Sequence, residues 1–183
     1  MKYEAVIFDL DGVICHTDRY HCLAWKRLAD ELGGCFDESV SNRLRGVGRM
    51  ESLEILLEDY KGRLSAEEKL RYAERKNRYY LDFLSGMSPE DVCREVRDTL
   101  DRIKEMGIRT AIGSSSKNAK FILKRVGLED YFDAVSDGTN ITRSKPDPEV
   151  FLKAGEYLGV SPGLCLVVED SRPGLEAAVA AGM

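Results

Sequence analysis

The feature that most constrains this chain is a set of four short apolar runs, Ala5–Phe8, Ile108–Gly113, Ala134–Ser136 and Leu164–Val168, with helix-forming stretches between them. The first run is continuously apolar instead of alternating, the pattern of a strand buried on both faces, and the other three read as similar strands. Strands joined through helices pair in parallel, so the order of elements predicts an α/β fold with a doubly wound, Rossmann-like parallel sheet. Sheets of this kind gather ligands at the carboxyl ends of their strands. The first run ends there in Asp9-Leu10-Asp11-Gly12.

The stretch from Asp18 to Gly86 has no strand character. It carries helix-period leucines such as Leu23, Leu28 and Leu32, and it is punctuated by Gly33-Gly34, Gly46-Val47-Gly48 and Gly62. Ser65 with Glu68 three residues later is a capping box, and four helices fit the space. Ser88-Pro89-Glu90-Asp91 offers an N-cap with proline at the first helical position. The reading is therefore a core domain of residues 1–17 and 87–183 with an inserted helical cap of residues 18–86. Within the core, Lys145-Pro146-Asp147-Pro148 reads as a loop before a helix, with Asp147 as the expected cap.

A length of 183 residues with 43% hydrophobic and 32% charged residues suits one packed domain plus an insertion. The net charge of −5 gives no long-range attraction to nucleic acid or an anionic membrane. No apolar run reaches the roughly 18 residues of a membrane span, and the N-terminus lacks a signal-peptide pattern. A cytoplasmic monomer is expected. The five cysteines are odd in number and show neither CxxC pairing nor zinc-ligand spacing, so they read as reduced structural thiols, Cys15 included.

Asp9 and Asp11 lie two residues apart at a buried strand end, where the following turn can gather oxygen ligands around a cation. The pair alone fits an ordinary turn equally well. Three further signals point to the same sheet edge: Ser114 ends the second run, Lys145 precedes Pro146, and Glu169-Asp170 ends the fourth. Their physical logic is that a carboxylate cannot approach a phosphate dianion unless nearby positive charge offsets the repulsion.

In this order Phe8-Asp9-Leu10-Asp11-Gly12-Val13, Ser114-Ser115-Ser116-Lys117, Ser144-Lys145-Pro146 and Glu169-Asp170-Ser171 resemble the four motifs of the haloacid dehalogenase superfamily. The resemblance spans nearly the whole chain and is to the β-phosphoglucomutase branch. It implies an aspartyl-phosphate mechanism with Asp9 as nucleophile and Asp11 as general acid and base. It implies Mg2+ held by Asp9, the Asp11 backbone carbonyl and Asp170, with Glu169 at or just outside that set, and phosphoryl oxygens bound by Ser114 and Lys145.

The same resemblance assigns the substrate, a small phosphorylated sugar, to Thr17, His21, Trp25, Gly46, Arg49 and Lys76 in the cap and hinge and to Ser115, Ser116, Lys117 and Asn118 in the core. Arg49, helped by Ser116, Lys117 and Asn118, would hold the phosphate that does not react; His21 and Lys76 would position Asp11 and the sugar. On their own, Trp25 equally suits a cap core, His21 an exposed helix face and Arg45 and Arg49 a solvated loop. Gly48, Arg45 and Gly113 depart from the serine, lysine and alanine of the mutase pattern. Relatives continue into a further strand beside the one ending in Glu169, so the final core strand is expected to be missing here. Three activities follow as readings: a mutase interconverting β-D-glucose 1-phosphate and glucose 6-phosphate through a bisphosphate, a phosphatase of small metabolites, and a noncatalytic phosphate-binding protein.

Overall fold

The computed structural model describes residues 2–44, 48–58, 60 and 62–183. The backbone divides into two compact units, Met1–His16 with Met87–Met183, and Thr17–Gly86.

The first unit is built on β1 (Ala5–Phe8), β2 (Arg109–Gly113), β3 (Ala134–Ser136) and β4 (Cys165–Val168). They form one parallel sheet in the order β3-β2-β1-β4. Helices α5 (Arg94–Glu105), α6 (Ala119–Arg125), α7 (Glu149–Leu158) and α8 (Arg172–Ala180) make the connections. Strand alternation sends Ala5, Ile7, Ala111 and Cys165 to one face, where they pack with Val150, Phe151, Ala154, Ala177 and Ala178 of α7 and α8. Phe151 is fully buried in this layer; truncating such a ring to alanine costs about 3–5 kcal/mol. The doubly wound α/β core expected from the apolar runs is the fold observed.

Two strands start one residue later than the apolar pattern suggests, each for a local reason. The Ile108 N–H is taken by Ile103 O as α5 closes, and Leu164 ends a 3-10 turn, Pro162–Leu164, with its N–H on Ser161 O. Likewise Pro89 opens only a 3-10 turn, Pro89–Asp91, because Val92 is extended and α5 is capped afresh at Cys93. Asp147 does accept the Glu149 N–H, at 3.0 Å, but the N-cap position itself is Pro148.

The second unit holds α1 (Asp18–Glu31), α2 (Glu38–Arg43), α3 (Arg49–Leu56) and α4 (Ala66–Leu84). The capping box is present: Glu68 N–H donates to Ser65 Oγ and Ser65 N–H to Glu68 Oε2. Trp25, Leu28, Leu53 and Ala73 form its apolar core, with Leu32, Phe36, Leu56 and Tyr72 around them. No helix among the described residues is long and apolar enough to cross a membrane. All five cysteines are free.

Candidate active site

Parallel register sets the site. Phe8 pairs with Ile112 on one side and Val168 on the other, so β1, β2 and β4 run out at the same level. The ladder continues one step through the Asp9 N–H to Val168 O at 2.9 Å, which fixes Asp9 where the sheet stops. On β2 the next residue is Ser114, whose N–H donates to Ser136 O at 3.0 Å.

Asp9, Glu169 and Asp170 bring carboxylate oxygens within 4.8 Å of one another. Lys145 reaches in from the loop before α7 and donates from Nζ to Asp9 Oδ1 at 2.5 Å and to Glu169 Oε1 at 2.8 Å. Both acids and the lysine have side chains less than a tenth exposed. One ammonium among three carboxylates leaves an excess of negative charge in a low-dielectric place, which a hard cation with oxygen ligands would offset. The residues present therefore fit Mg2+ by donor type and by proximity.

Burial, the largest effect, pushes the Asp9 carboxyl up to about 6; Lys145 opposes this and the Glu169 charge adds to it. Glu169 is the reverse case. Burial works to raise it, but hydrogen bonds from Lys145 and the Ser171 N–H prevail and hold it below the usual carboxylate range. The two acids thus start from similar chemistry and are driven apart because burial prevails at Asp9 and hydrogen-bond donors prevail at Glu169. Burial first, then the charges of Asp11, Asp91 and Asp9, push the Cys15 thiol up, so it is inert.

Two glycines admit this arrangement by having no side chain. At Gly12, where φ is +94°, a Cβ would lie 2.1 Å from Asp170 Oδ2. At Gly174, in the first turn of α8, a Cβ would lie 1.7 Å from Glu169 Oε1. A third close approach links the loops that follow β2 and β3: a Cβ on Gly138 would sit 2.4 Å from Ser115 O. Gly113 makes room as well, since a Cβ there would be 2.7 Å from the Phe151 ring over which Lys145 Nζ lies at 4.6 Å. Sequence reading assigned no role to Gly174 or Gly138; a glycine inside a helix, which costs about 1 kcal/mol against alanine, was the available signal for Gly174.

Ser114 Oγ accepts the Ser116 N–H at 3.1 Å and Ser116 Oγ the Asn118 N–H at 3.2 Å, a run of turns that leads from β2 into α6 with Asn118 at its N-cap. Ser115 Oγ accepts the Lys145 N–H at 3.2 Å, so this serine holds the lysine's backbone. Lys117 adjoins Gly138 in the same turn.

Of the residues assigned to the 17–86 unit, Thr17 is the N-cap position of α1 and buried. His21 Nδ1 lies 2.9 Å from Lys76 Nζ. Burial first, then Lys76 and Arg49, lower His21 to about 3, so the ring is neutral. Lys76 is 3% exposed, and burial, then Arg49, bring it down to about 7. Its Nζ lies 4.7 Å from the Trp25 ring centre. Trp25 is placed in the apolar core of the unit and not on an open face. Arg49 Nη2 donates to Asn77 Oδ1 at 2.9 Å. Gly46, with Arg45 and Val47, lies outside the described residues.

Acids at the ends of two adjacent parallel strands, served by one lysine from a neighbouring loop, form an acidic cluster at the carboxyl ends of an α/β sheet. A model of the haloacid dehalogenase-like hydrolases matches residues 3–182, and the chain belongs to that family. It is 41% identical to the β-phosphoglucomutase of Bacillus subtilis over 182 residues, 98% of this chain and 80% of that protein. It is 37% identical to a phosphorylated carbohydrates phosphatase of Thermotoga maritima, over 98% of this chain and 82% of the relative. The crystal structure of a β-phosphoglucomutase from Clostridium difficile superposes with a TM-score of 0.89 at 39% identity, covering 99% of this chain and 82% of that one.

Proposed function

We propose that this chain is a magnesium-dependent sugar phosphomutase that interconverts β-D-glucose 1-phosphate and glucose 6-phosphate. The observation that carries the reading is the buried Asp9 at the sheet edge with Lys145 Nζ 2.5 Å from its oxygen, a carboxylate matched to a compact positive charge. The 41% identity to a β-phosphoglucomutase supports the choice of reaction.

In this reading the enzyme carries a phosphoryl group on Asp9; the free hydroxyl of the bound sugar phosphate attacks that phosphorus, Asp11 takes its proton, and the bond to the Asp9 oxygen breaks, so that a sugar bisphosphate forms. The bisphosphate turns end for end, Asp9 attacks its other phosphorus while the bond to the sugar oxygen breaks, and Asp11 returns the proton to that oxygen, which restores the phosphorylated enzyme. Lys145 and Ser114 hold the phosphoryl oxygens. Mg2+, held by Asp9, Asp170 and the Asp11 carbonyl with Glu169 beside them, would supply charge neutralisation for the phosphoryl group. Thr17, His21 and Lys76 serve the sugar, and Arg49, with Ser116, Lys117 and Asn118, holds the phosphate that does not react.

A second reading, a phosphatase of small phosphorylated metabolites, is favoured by the 37% identity to the Thermotoga phosphatase. There water replaces the sugar hydroxyl that attacks the phosphorus on Asp9. Phosphorus NMR of the products from β-glucose 1-phosphate decides: glucose 6-phosphate supports the mutase, and stoichiometric inorganic phosphate overturns it. Arg49→Ala adds a check. It should slow isomerisation about ten- to a hundredfold while phosphate release from acetyl phosphate changes far less; equal loss in both would remove Arg49 from the remote-phosphate role.

A further inference from the structure

Lys145 has one partner set at its tip and another, less obvious, behind it. Glu149, the first residue of α7, turns back onto the loop that delivers the lysine. Its Oε2 accepts the Thr142 N–H at 2.9 Å, the Thr142 Oγ1–H at 2.8 Å and the Arg143 N–H at 2.8 Å. Its other oxygen is 3.0 Å from Lys153 Nζ one turn along α7, and Lys153 also donates to Asn140 O. Two residues past Arg143 the chain reaches Lys145.

We infer that Glu149 is a positioning residue for Lys145, acting through the Thr142–Ser144 backbone to hold the ammonium at Asp9. The inference rests on the reading of Lys145 as the phosphoryl-binding cation. Its basis is mechanical. Helix α7 is fixed in the core by Val150, Phe151, Ala154 and Leu158, all buried, so its first turn is a rigid mount. The Phe151 ring, two residues on from Glu149, lies 4.6 Å from Lys145 Nζ, so one helix end grips both the loop and the lysine it presents. Three donors on one carboxylate oxygen fix loop direction as well as distance.

Hydrogen bonds from Arg143 N–H, Lys153 and Thr142 hold the Glu149 carboxyl down at about 2, so it stays anionic wherever the enzyme works. A lysine on a long flexible stem loses side-chain entropy when fixed, and a pre-set backbone reduces what remains to be ordered. The function of Glu149 is thus distinct from that of Ser115, which accepts the Lys145 N–H from the opposite loop.

The test is a double-mutant cycle on Mg2+-dependent phosphate release from acetyl phosphate. Glu149→Ala should lower kcat about ten- to a hundredfold, and Glu149→Gln, which keeps an acceptor oxygen, should recover most of it. In a Lys145→Ala background, Glu149→Ala should add less than about threefold. The same fractional loss in both backgrounds, or no loss in the first, overturns the inference. A Lys145→Ala enzyme with undiminished activity instead overturns the reading of Lys145, and the inference falls with it.

If Lys145→Ala is too slow to follow, amine acetylation read by mass spectrometry decides. Lys145 is almost enclosed, as is Lys76. Glu149→Ala should raise labelling of Lys145 severalfold while leaving Lys76 unchanged. Parallel increases at both would show general loosening in place of positioning, and no increase at Lys145 would refute the link.

Discussion

Gly174→Ala sets two strong tendencies against each other. Alanine is favoured over glycine within a helix by about 1 kcal/mol, so the substitution in α8 should stabilise on propensity alone. Its Cβ, however, would stand 1.7 Å from Glu169 Oε1, 2.0 Å from Cδ and 2.6 Å from Cγ. Because the conflict reaches Cγ, moving the carboxylate tip is insufficient and the whole side chain must leave. Glu169 then gives up Lys145 at 2.8 Å and the Ser171 N–H at 2.5 Å, from a site where its side chain is 2% exposed. Breaking a buried pair costs about 3–5 kcal/mol, and the lower end applies because Lys145 keeps Asp9. The balance is a net loss of about 2 kcal/mol, or a melting temperature lower by about 4–8 °C for a chain of this size. Thermal unfolding followed by circular dichroism measures it. In a Glu169→Ala background the obstacle is gone, and Gly174→Ala should become neutral or stabilising. A higher melting temperature in the wild-type background, or the same decrease in both, would falsify the steric argument.

Asp9→Asn should abolish turnover and leave no acid-stable trace of a phosphorylated enzyme, because an amide does not attack phosphorus; a labelled acyl phosphate recovered from that variant would remove Asp9 from its role. Without a cation, the raised Asp9 pKa contributes stability that is fully present below about 3.8 and lost as pH rises through about 6. Added Mg2+ should therefore raise the melting temperature more at pH 8 than at pH 5, and equal shifts would contradict the site. Lys76, lowered to about 7, is the opposite case: its contribution is present above about 10.5 and is lost as pH falls toward 7. Lys76→Met should thus gain on the wild type by on the order of 2–3 kcal/mol between pH 9.5 and 7 in urea unfolding, and a gap that does not change with pH would count against it.

The core was legible because its strands are short, largely apolar runs between helical stretches and its acids follow them directly; Asp9 and Glu169 are fixed by where β1 and β4 stop. Lys145 could be placed at the same edge from its motif. What it rests on could not be seen, because Glu149 binds back to Thr142 and Arg143 through a turn whose direction no periodicity encodes. Gly174 was invisible for a related reason: its importance comes from the Glu169 side chain folding over α8, a matter of ångströms and not of pattern. Trp25 shows the converse. Its helical spacing suited both a ligand and a core, and the packing of Leu28, Leu53 and Ala73 around it selects the core.

The place of β1 in the sheet has a consequence for how the molecule assembles. The strand made first is an inner one, paired at Ala5 with Arg109 on one side and Cys165 on the other. During synthesis it must wait for both partners, and the contacts it finally makes are far apart in sequence, which slows folding. Asp9 accordingly meets Lys145 and Glu169 only after nearly all of this sequence has emerged. An assay for bound Mg2+ would then serve as a clock for the last stage of folding, silent while helices form and switched on when β4 docks.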